Sequence, residues 1–424
     1  MRRIGAALLA LFFLGAPALA ADQPPAAGNE DQALDRAFDH LIDALKQSKE
    51  FIERHPFYAD KENRASGMAF VSSMLIRTLE EDVVLDPDFP FFRILDFRIR
   101  EGGDNPDQRY LFARLRGGET YRVWGKLGKQ RRLDFQIYAG DPYVKGGGRV
   151  VSNLAMEQVK FGSDGSFEVF LSAKPMPGNW MENAPDSTKL MVRQIFSDWK
   201  NETPGEVHID RVGYEGKLKP RATEASMAAR LDQAASDLLM IVKIWPDFVL
   251  HRYMEAIPPN TLPPPSDPSA LGGVKGRWMT EGQFDLKPDE ALIVTTWPSS
   301  ANYQGIQLAD PWFSSLEYAN RQTSLTADQA YLSKDGAYHF VIAGSDPGVQ
   351  NWLDTTGLPR GVMLLRYDGA KEKAFPKDKY PTTRKVTLSQ LRNYLPADTP
   401  SFTPAMRAEA IAIRRRHVQI RFGD

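Results

Sequence analysis

Lys334–Arg366, KDGAYHFVIAGSDPGVQNWLDTTGLPRGVMLLR, reads as two strands flanking a polar, glycine-containing loop with an Asn-Trp pair at its heart. Tyr338–Ala343 and Val362–Tyr367 are β-branched and aromatic runs, while Asp335-Gly336 and Pro347-Gly348 are turn chemistry. Upstream, Asp164–Arg193, DGSFEVFLSAKPMPGNWMENAPDSTKLMVR, repeats the plan. In both, Asp-Gly opens an apolar strand, Pro-Gly follows, then Asn-Trp, then a second apolar run ending in Arg. Gly165 to Trp180 spans 15 positions and Gly336 to Trp352 spans 16, while Trp180 to Arg193 spans 13 and Trp352 to Arg366 spans 14. Near-equal spacing is harder to obtain by chance than shared residue types, so the chain is expected to contain two copies of one β unit. LDFQIY (Leu133–Tyr138) can further be laid on FSSLEY (Phe313–Tyr318).

Working outward, short strands with turn residues between them surround each copy. The first set is expected at Tyr110–Leu115, Thr120–Trp124, Leu133–Tyr138, Phe167–Ser172, Lys189–Phe196 and Glu206–Val212, with Gly117-Gly118 read as a hairpin turn. The second is expected at Ala291–Trp297, Gly305–Leu308, Phe313–Tyr318, Tyr338–Ala343 and Val362–Tyr367. Helical spacing predicts two amphipathic helices before the first set, one through Leu34, Phe38, Leu41 and Leu45 and one through Phe70 to Leu79, separated by His55-Pro56. A third starts after the N-cap Thr223 and is expected to break at Pro246, with a shorter helix over Asp247–Ala256. A last one starts at Thr403-Pro404 and is expected to end near Arg416, with Arg414-Arg415-Arg416 complementing its dipole. The fold class predicted is mainly β with accessory helices (α+β): two β-sandwich or jelly-roll units with N-terminal, central and C-terminal helices. The boundaries are a signal peptide over 1–20, a disordered leader over 21–30, helices over 31–90, a first sandwich over 91–220, and helices with a Pro-rich linker over 221–270. A second unit covers 271–370, and a basic loop with the C-terminal helix covers 371–424.

At 424 residues the chain is long for one domain, and 42% apolar with 25% charged residues is the balance of a globular protein. A net charge of -1 gives no basic footprint for nucleic acid. Arg2-Arg3, the apolar run Ile4–Leu14 and Ala18-Leu19-Ala20 form a secretory signal, so a periplasmic or secreted protein cleaved near Ala20 is expected, with no membrane span. The absence of cysteine excludes disulfides, thiolate ligands and a cysteine nucleophile together.

The run WFSSLEYANR (Trp312–Arg321) is followed by Asp335-Gly336, Asp346-Pro347-Gly348, Asn351-Trp352-Leu353 and Leu364-Leu365-Arg366-Tyr367. This pattern resembles the C-terminal domain of the bacterial family known as domain of unknown function 1214. Gly103–Lys126, GDNPDQRYLFARLRGGETYRVWGK, is similar to its longer members. The resemblance implies an exported jelly-roll protein, with the often associated second domain of unknown function expected to be absent. It hands over no catalytic residue.

Chemistry must therefore be read from the residues. The histidines (His40, His55, His208, His251, His339 and His417) include no pair at metal-ligand spacing, although a cross-strand site needs none, and no metal or cofactor is implied. No G-x-S-x-G or P-loop occurs, and Gly146-Gly147-Gly148 reads as a hairpin connection. Two carboxylates beside an aromatic platform are what glycoside cleavage uses, which makes Asp346 and Asp354 the catalytic candidates. The same aspartates at a Pro-Gly turn can simply cap backbone N–H groups. Trp352 can be a solvent-facing platform or a core plug, and its repetition at Trp180 favours the plug. Trp312, Tyr318, Arg321, Gln350, Trp352 and Arg366 are the ligand-binding candidates. Three functions remain open: a binding or accessory protein for an envelope glycan or other small organic ligand, a hydrolase or lyase using Asp346 and Asp354, and a structural envelope protein. The sequence carries no reading of oligomeric state.

Overall fold

A computed structural model describes residues 28–140, 147–268, 276–371 and 374–423. The expected signal peptide and most of the expected leader lie outside the described residues. The leader's last three residues already belong to the first helix, α1 (Gly28–Arg54).

His55-Pro56 ends α1 as expected, and the His55 ring accepts a hydrogen bond from the Phe57 N–H, starting a short 3-10 turn before α2 (Lys61–Thr78). The long helix α3 (Glu224–Val249) begins at the Thr223 cap, whose hydroxyl accepts from the Ser226 N–H at 3.1 Å. Pro246 does not break it. The residue is buried on the packed face, and that burial offsets the missing N–H, so the expected separate helix over Asp247–Ala256 is a continuation of α3 into a π-helical turn, Leu250–Met254. These helices share a core that includes Leu41, Ile52, Phe70, Leu238, Trp245 and Trp312.

The rest of the chain is two β-sandwiches. The first pairs the sheet β1 (Arg93–Leu95), β2 (Gln108–Arg114), β8 (Lys189–Ile195), β4 (Arg132–Gly140) and β5 (Gly148–Leu154), in that order. It packs against β7 (Asn179–Glu182), β6 (Ser166–Ser172), β3 (Tyr121–Lys126) and β9 (Glu206–Arg211). In the second, the order β10 (Arg277–Asp285), β16 (Arg360–Asp368), β12 (Tyr303–Ala309) and β13 (Ser324–Thr326) faces β15 (Trp352–Asp354), β14 (Tyr338–Ala343), β11 (Glu290–Thr296) and β17 (Thr382–Thr387). Strand for strand, β2 to β9 and β10 to β17 occupy the same places. Even the short parallel partners agree, with β7 beside β6 and β15 beside β14. Alternate side chains fill the two interiors: Leu111, Val123, Phe135, Val169 and Val192 in one, Leu292, Ile306, Phe340, Leu353 and Leu365 in the other.

Several local expectations change. Gly117-Gly118 is not a hairpin, because β2 and β3 lie in opposite sheets. A Cβ on Gly117 would stand 2.1 Å from the Pro185 carbonyl oxygen, so the glycine there permits a close backbone crossing. Phe313–Tyr318 is irregular rather than a strand, and the structural counterpart of β4 is β12. Part of the expected basic loop forms β17, the eighth strand of the second unit. The last helix, α4 (Pro404–Phe422), outlasts its expected end, which places Arg414 in its interior, buried, rather than in its final turn.

Candidate functional site

The repeated Asn-Trp pair does the same job twice. Asn179 accepts from the Lys160 N–H and donates to the Lys160 carbonyl, at 2.8 and 3.0 Å, and Asn351 holds both groups of Tyr331 at 2.8 Å. Each asparagine thus fastens an approaching chain segment to the short strand that carries it. The neighbouring indole N–H groups of Trp180 and Trp352 donate to Ser172 Oγ and the Ala343 carbonyl, each at 3.0 Å. Asp164 and Asp335 each cap the N–H two residues ahead, at 3.1 and 3.0 Å.

Five of the site residues expected from sequence gather beneath the start of α4. Asp346 accepts from the Gly348 N–H at 2.8 Å and pairs with Arg407 at 2.9 Å. The Arg407 guanidinium lies 5.0 Å from the ring centre of Trp352. Trp352 itself is buried, and Gln350 donates to the Gln329 carbonyl while its own carbonyl accepts from Gln322 at 2.9 Å. Asp354 pairs with the half-exposed Arg321 at 3.1 Å and accepts from the Thr356 N–H at 2.7 Å, and burial raises its carboxyl above the usual range. The remaining three stand apart. Trp312 is wholly buried among the helices, donating to the Asn63 carbonyl at 2.9 Å. Tyr318 is buried beside α4, and Arg366 is in a third place.

That third place is a cavity of about 290 Å³ between the two sandwiches and the end of α3. One wall is the outward face of the first sandwich, where Leu95, Phe112, Tyr138 and Met191 form an apolar cluster outside the main core. Ile241, Trp245 and Phe248 of α3 form a second wall, and Arg277, Met279 and Glu281 of β10 a third. The floor is Gly102-Gly103, both at positive φ (64° and 63°), lying against the rings of Trp245 and Phe313 so closely that a Cβ would stand 2.7 and 2.6 Å from them. Phe313 also holds a positive φ, 67°, and its carbonyl accepts from the Gly103 N–H at 2.8 Å.

Seven cationic side chains and four carboxylates line this space. Two of the cations, Arg193 and Arg366, hold equivalent places, each two residues before the end of β8 and of β16. Arg193 donates to Gln136 Oε1 at 2.7 Å and to the Tyr138 hydroxyl at 3.2 Å, while its buried Nε has no partner. Arg366 donates to Gln307 and to the Gly103 carbonyl. Tyr110 lies beside them, its ring centre 6.0 Å from the Arg193 guanidinium and its hydroxyl accepting from the Asn105 N–H. On the lining carboxylates, burial raises Asp104 to about 6 even though Ser315 hydrogen-bonds it, whereas Glu281 accepts from the Tyr253 hydroxyl at 2.8 Å.

One wall residue, Arg366, was legible in the sequence, and the Arg recurring at the end of the matching run pointed to a second, Arg193. Lys189, Arg277, Trp245 and Gly103 carried no motif that could single them out. Among the described residues no group of three or more His, Asp or Glu side chains is placed to hold a metal ion, and no helix is long and apolar enough to cross a membrane.

No family model matches the chain, and no curated protein does. Among solved structures, a protein of Vibrio parahaemolyticus aligns with 75% of this chain and 98% of its own at 12% identity and a TM-score of 0.43, too distant to carry an argument. The crystal structure of an uncharacterised protein from Burkholderia cenocepacia is nearer: 30% identity over 85% of this chain and 99% of that one, with a TM-score of 0.77. With that identity sustained over nearly the whole of the other protein, the chain belongs to the family of the Burkholderia cenocepacia protein.

Proposed function

We propose that this is an exported, periplasmic or secreted binding or accessory protein that holds a small organic ligand in the cavity between its sandwiches. Two buried arginines, one from each sandwich and neither in a salt bridge among the described residues, meeting at one partly apolar cavity are the observation that carries the reading. Such a space, about 290 Å³ and walled by aromatic side chains with a few converging polar groups, is at the small end of ligand sites. The enclosure supports a compact ligand over a glycan chain. We infer also that the sandwiches descend from a duplication, on the strength of their shared strand order and their twice-used Asn-Trp staples, and that the resemblance to domain of unknown function 1214 reflects kinship. The signal-like N-terminus supports export. The hydrolase reading is less well supported: burial raises the Asp354 carboxyl, but Asp346 and Asp354 are each occupied by an arginine and a backbone N–H.

The test is what the native protein carries. Protein purified from its own source and denatured in organic solvent should release a small molecule in near-stoichiometric yield by mass spectrometry. Met191→Trp, which fills the cavity from the first sandwich, should fold and release almost none. Equal yields from both proteins, or nothing from the native one, would overturn the proposal.

A further inference from the structure

The charges around the cavity are unevenly satisfied. Arg277 is held by Asp368 at 2.6 Å, Arg93 by Glu81 at 2.5 Å, and Arg77 by Glu101 at 3.0 Å. Three of the four lining carboxylates are likewise engaged: Glu101 by Arg77, Asp104 by Ser315 at 2.7 Å, Glu281 by Tyr253. Arg193, Arg366, Lys189 and the exposed Arg252 are in no such pair among the described residues. Arg193 and Arg366 donate only to amide, hydroxyl and carbonyl oxygens, and Lys189 rests near the face of Tyr138, 5.9 Å from its centre. Burying a guanidinium outside any salt bridge is costly, and an anion entering the cavity would offset that cost.

The donors left over say what the site can hold. Each Nη atom of Arg193 and of Arg366 donates one hydrogen bond to a protein acceptor, and no hydrogen bond among the described residues uses either Nε, so each guanidinium keeps three of its five N–H groups. Those hydrogens serve the oxygens of a carboxylate or of a phosphate alike, so the arginines specify an anion. The apolar cluster on β1, β2, β4 and β8, with Ile241 and Trp245 opposite, provides for a hydrocarbon or aromatic body. We propose that the cavity takes a small organic anion, its head group served by Arg193 and Arg366 and its apolar body laid against Phe112, Met191, Ile241 and Trp245. The assignment rests on the ligand-binding reading above and adds the chemical class.

Calorimetry on the full-length mature protein, first stripped of any bound molecule, tests it with four probes of one body: octanoate, octanol, octylamine and octyl phosphate. Octanoate should bind at least about ten-fold more tightly than octanol, the equivalent of one charge-assisted hydrogen bond, and octylamine should not bind. Arg366→Gln should weaken octanoate about ten-fold and leave octanol unchanged. Lys189→Gln, at a half-buried position whose loss threatens the fold less, should weaken octanoate by a smaller factor in the same direction. Equal affinity for octanoate and octanol, or preference for octylamine, overturns the anion assignment while leaving a ligand site in place, and the ratio of octanoate to octyl phosphate affinity names the head group. Binding of none of the four, with a native ligand still released on denaturation, also overturns it. No binding and no native ligand removes the site itself.

Discussion

Gly103 is fixed by two independent constraints. Its φ of 63° disfavours any L side chain, and a Cβ there would stand 2.6 Å from the Phe313 ring. Its N–H and carbonyl are both in use, by the Phe313 carbonyl and by Arg366. Gly103→Ala should therefore destabilise the fold by about 2 kcal/mol or more, through backbone strain and overpacking together. Chemical denaturation checks this: a midpoint within error of the parent protein would mean that the loop relaxes freely. At the same scale, Arg366 was legible as a candidate because it closes the repeat, but its burial against a glycine carbonyl 263 positions away was not. Trp312 shows the converse. A ligand-binding candidate from the sequence, it is a wholly buried plug between helices, with room left by Gly67 of α2, where a Cβ would stand 2.9 Å from its ring.

Among the elements, the two short parallel strands β7 and β15 looked like loops, since three or four residues cannot show a period. What makes them strands is the asparagine staple behind them and the strand beside them. Asn351→Ala would leave the Tyr331 N–H and carbonyl without their partner and should cost about 1–3 kcal/mol, with Asn179→Ala costing less because Lys160 is exposed to water. Thermal melts of the two variants measure the order, and a larger loss for Asn179→Ala would contradict the staple argument. Helix lengths were under-read for a related reason. Pro246 and the arginines near position 414 are local stop signals, but burial of the α3 face and bonds from Arg414 to the Tyr318 and Ser324 carbonyls, both 2.9 Å, carry the helices past them.

Across the whole molecule, the sandwiches are locked together by buried polar contacts. The Tyr303 hydroxyl donates to Asp107 at 2.6 Å, Gln307 to the Asp104 carbonyl at 2.7 Å, and Thr326 to the Ser197 carbonyl at 2.7 Å. Burial raises several carboxyls in this region, Asp104 and Asp107 to about 6 and Asp310 to about 7. An acid whose folded value lies above its unfolded one is stabilising below the unfolded value, and that contribution is lost as pH rises through the folded one. Stability should thus fall from about pH 4, near the unfolded aspartate value, to about pH 7. Glu81 acts in the opposite sense: burial pushes it up, but Arg77 and Arg93 outweigh this and hold it well below the usual range, so its contribution is lost only in acid. Asp310→Asn keeps an acceptor for the Trp312 and Ser314 N–H groups and removes the titration, so its stability relative to the parent should improve from pH 5 to pH 8. Urea midpoints at the two pH values decide this, and an unchanged difference would refute it.

The sequence alone determined the local grammar of this protein: strands where β-branched and aromatic residues cluster, helices where apolar residues recur every three or four positions, and a motif of Asp-Gly, Pro-Gly, Asn-Trp and Arg that recurs at matched spacing. Those features depend on neighbours within a dozen or so residues. Tertiary structure alone decided which sheet each strand joined, as with β2 and β3 on opposite sides of Gly117-Gly118. It also decided that Asp346 and Asp354 would each pair with an arginine, while Arg193 and Arg366 are in no salt bridge among the described residues. The reason is that a charge's partner, and the water removed around it, come from whatever segments fold against it, and around this cavity those segments run from α2 to β16.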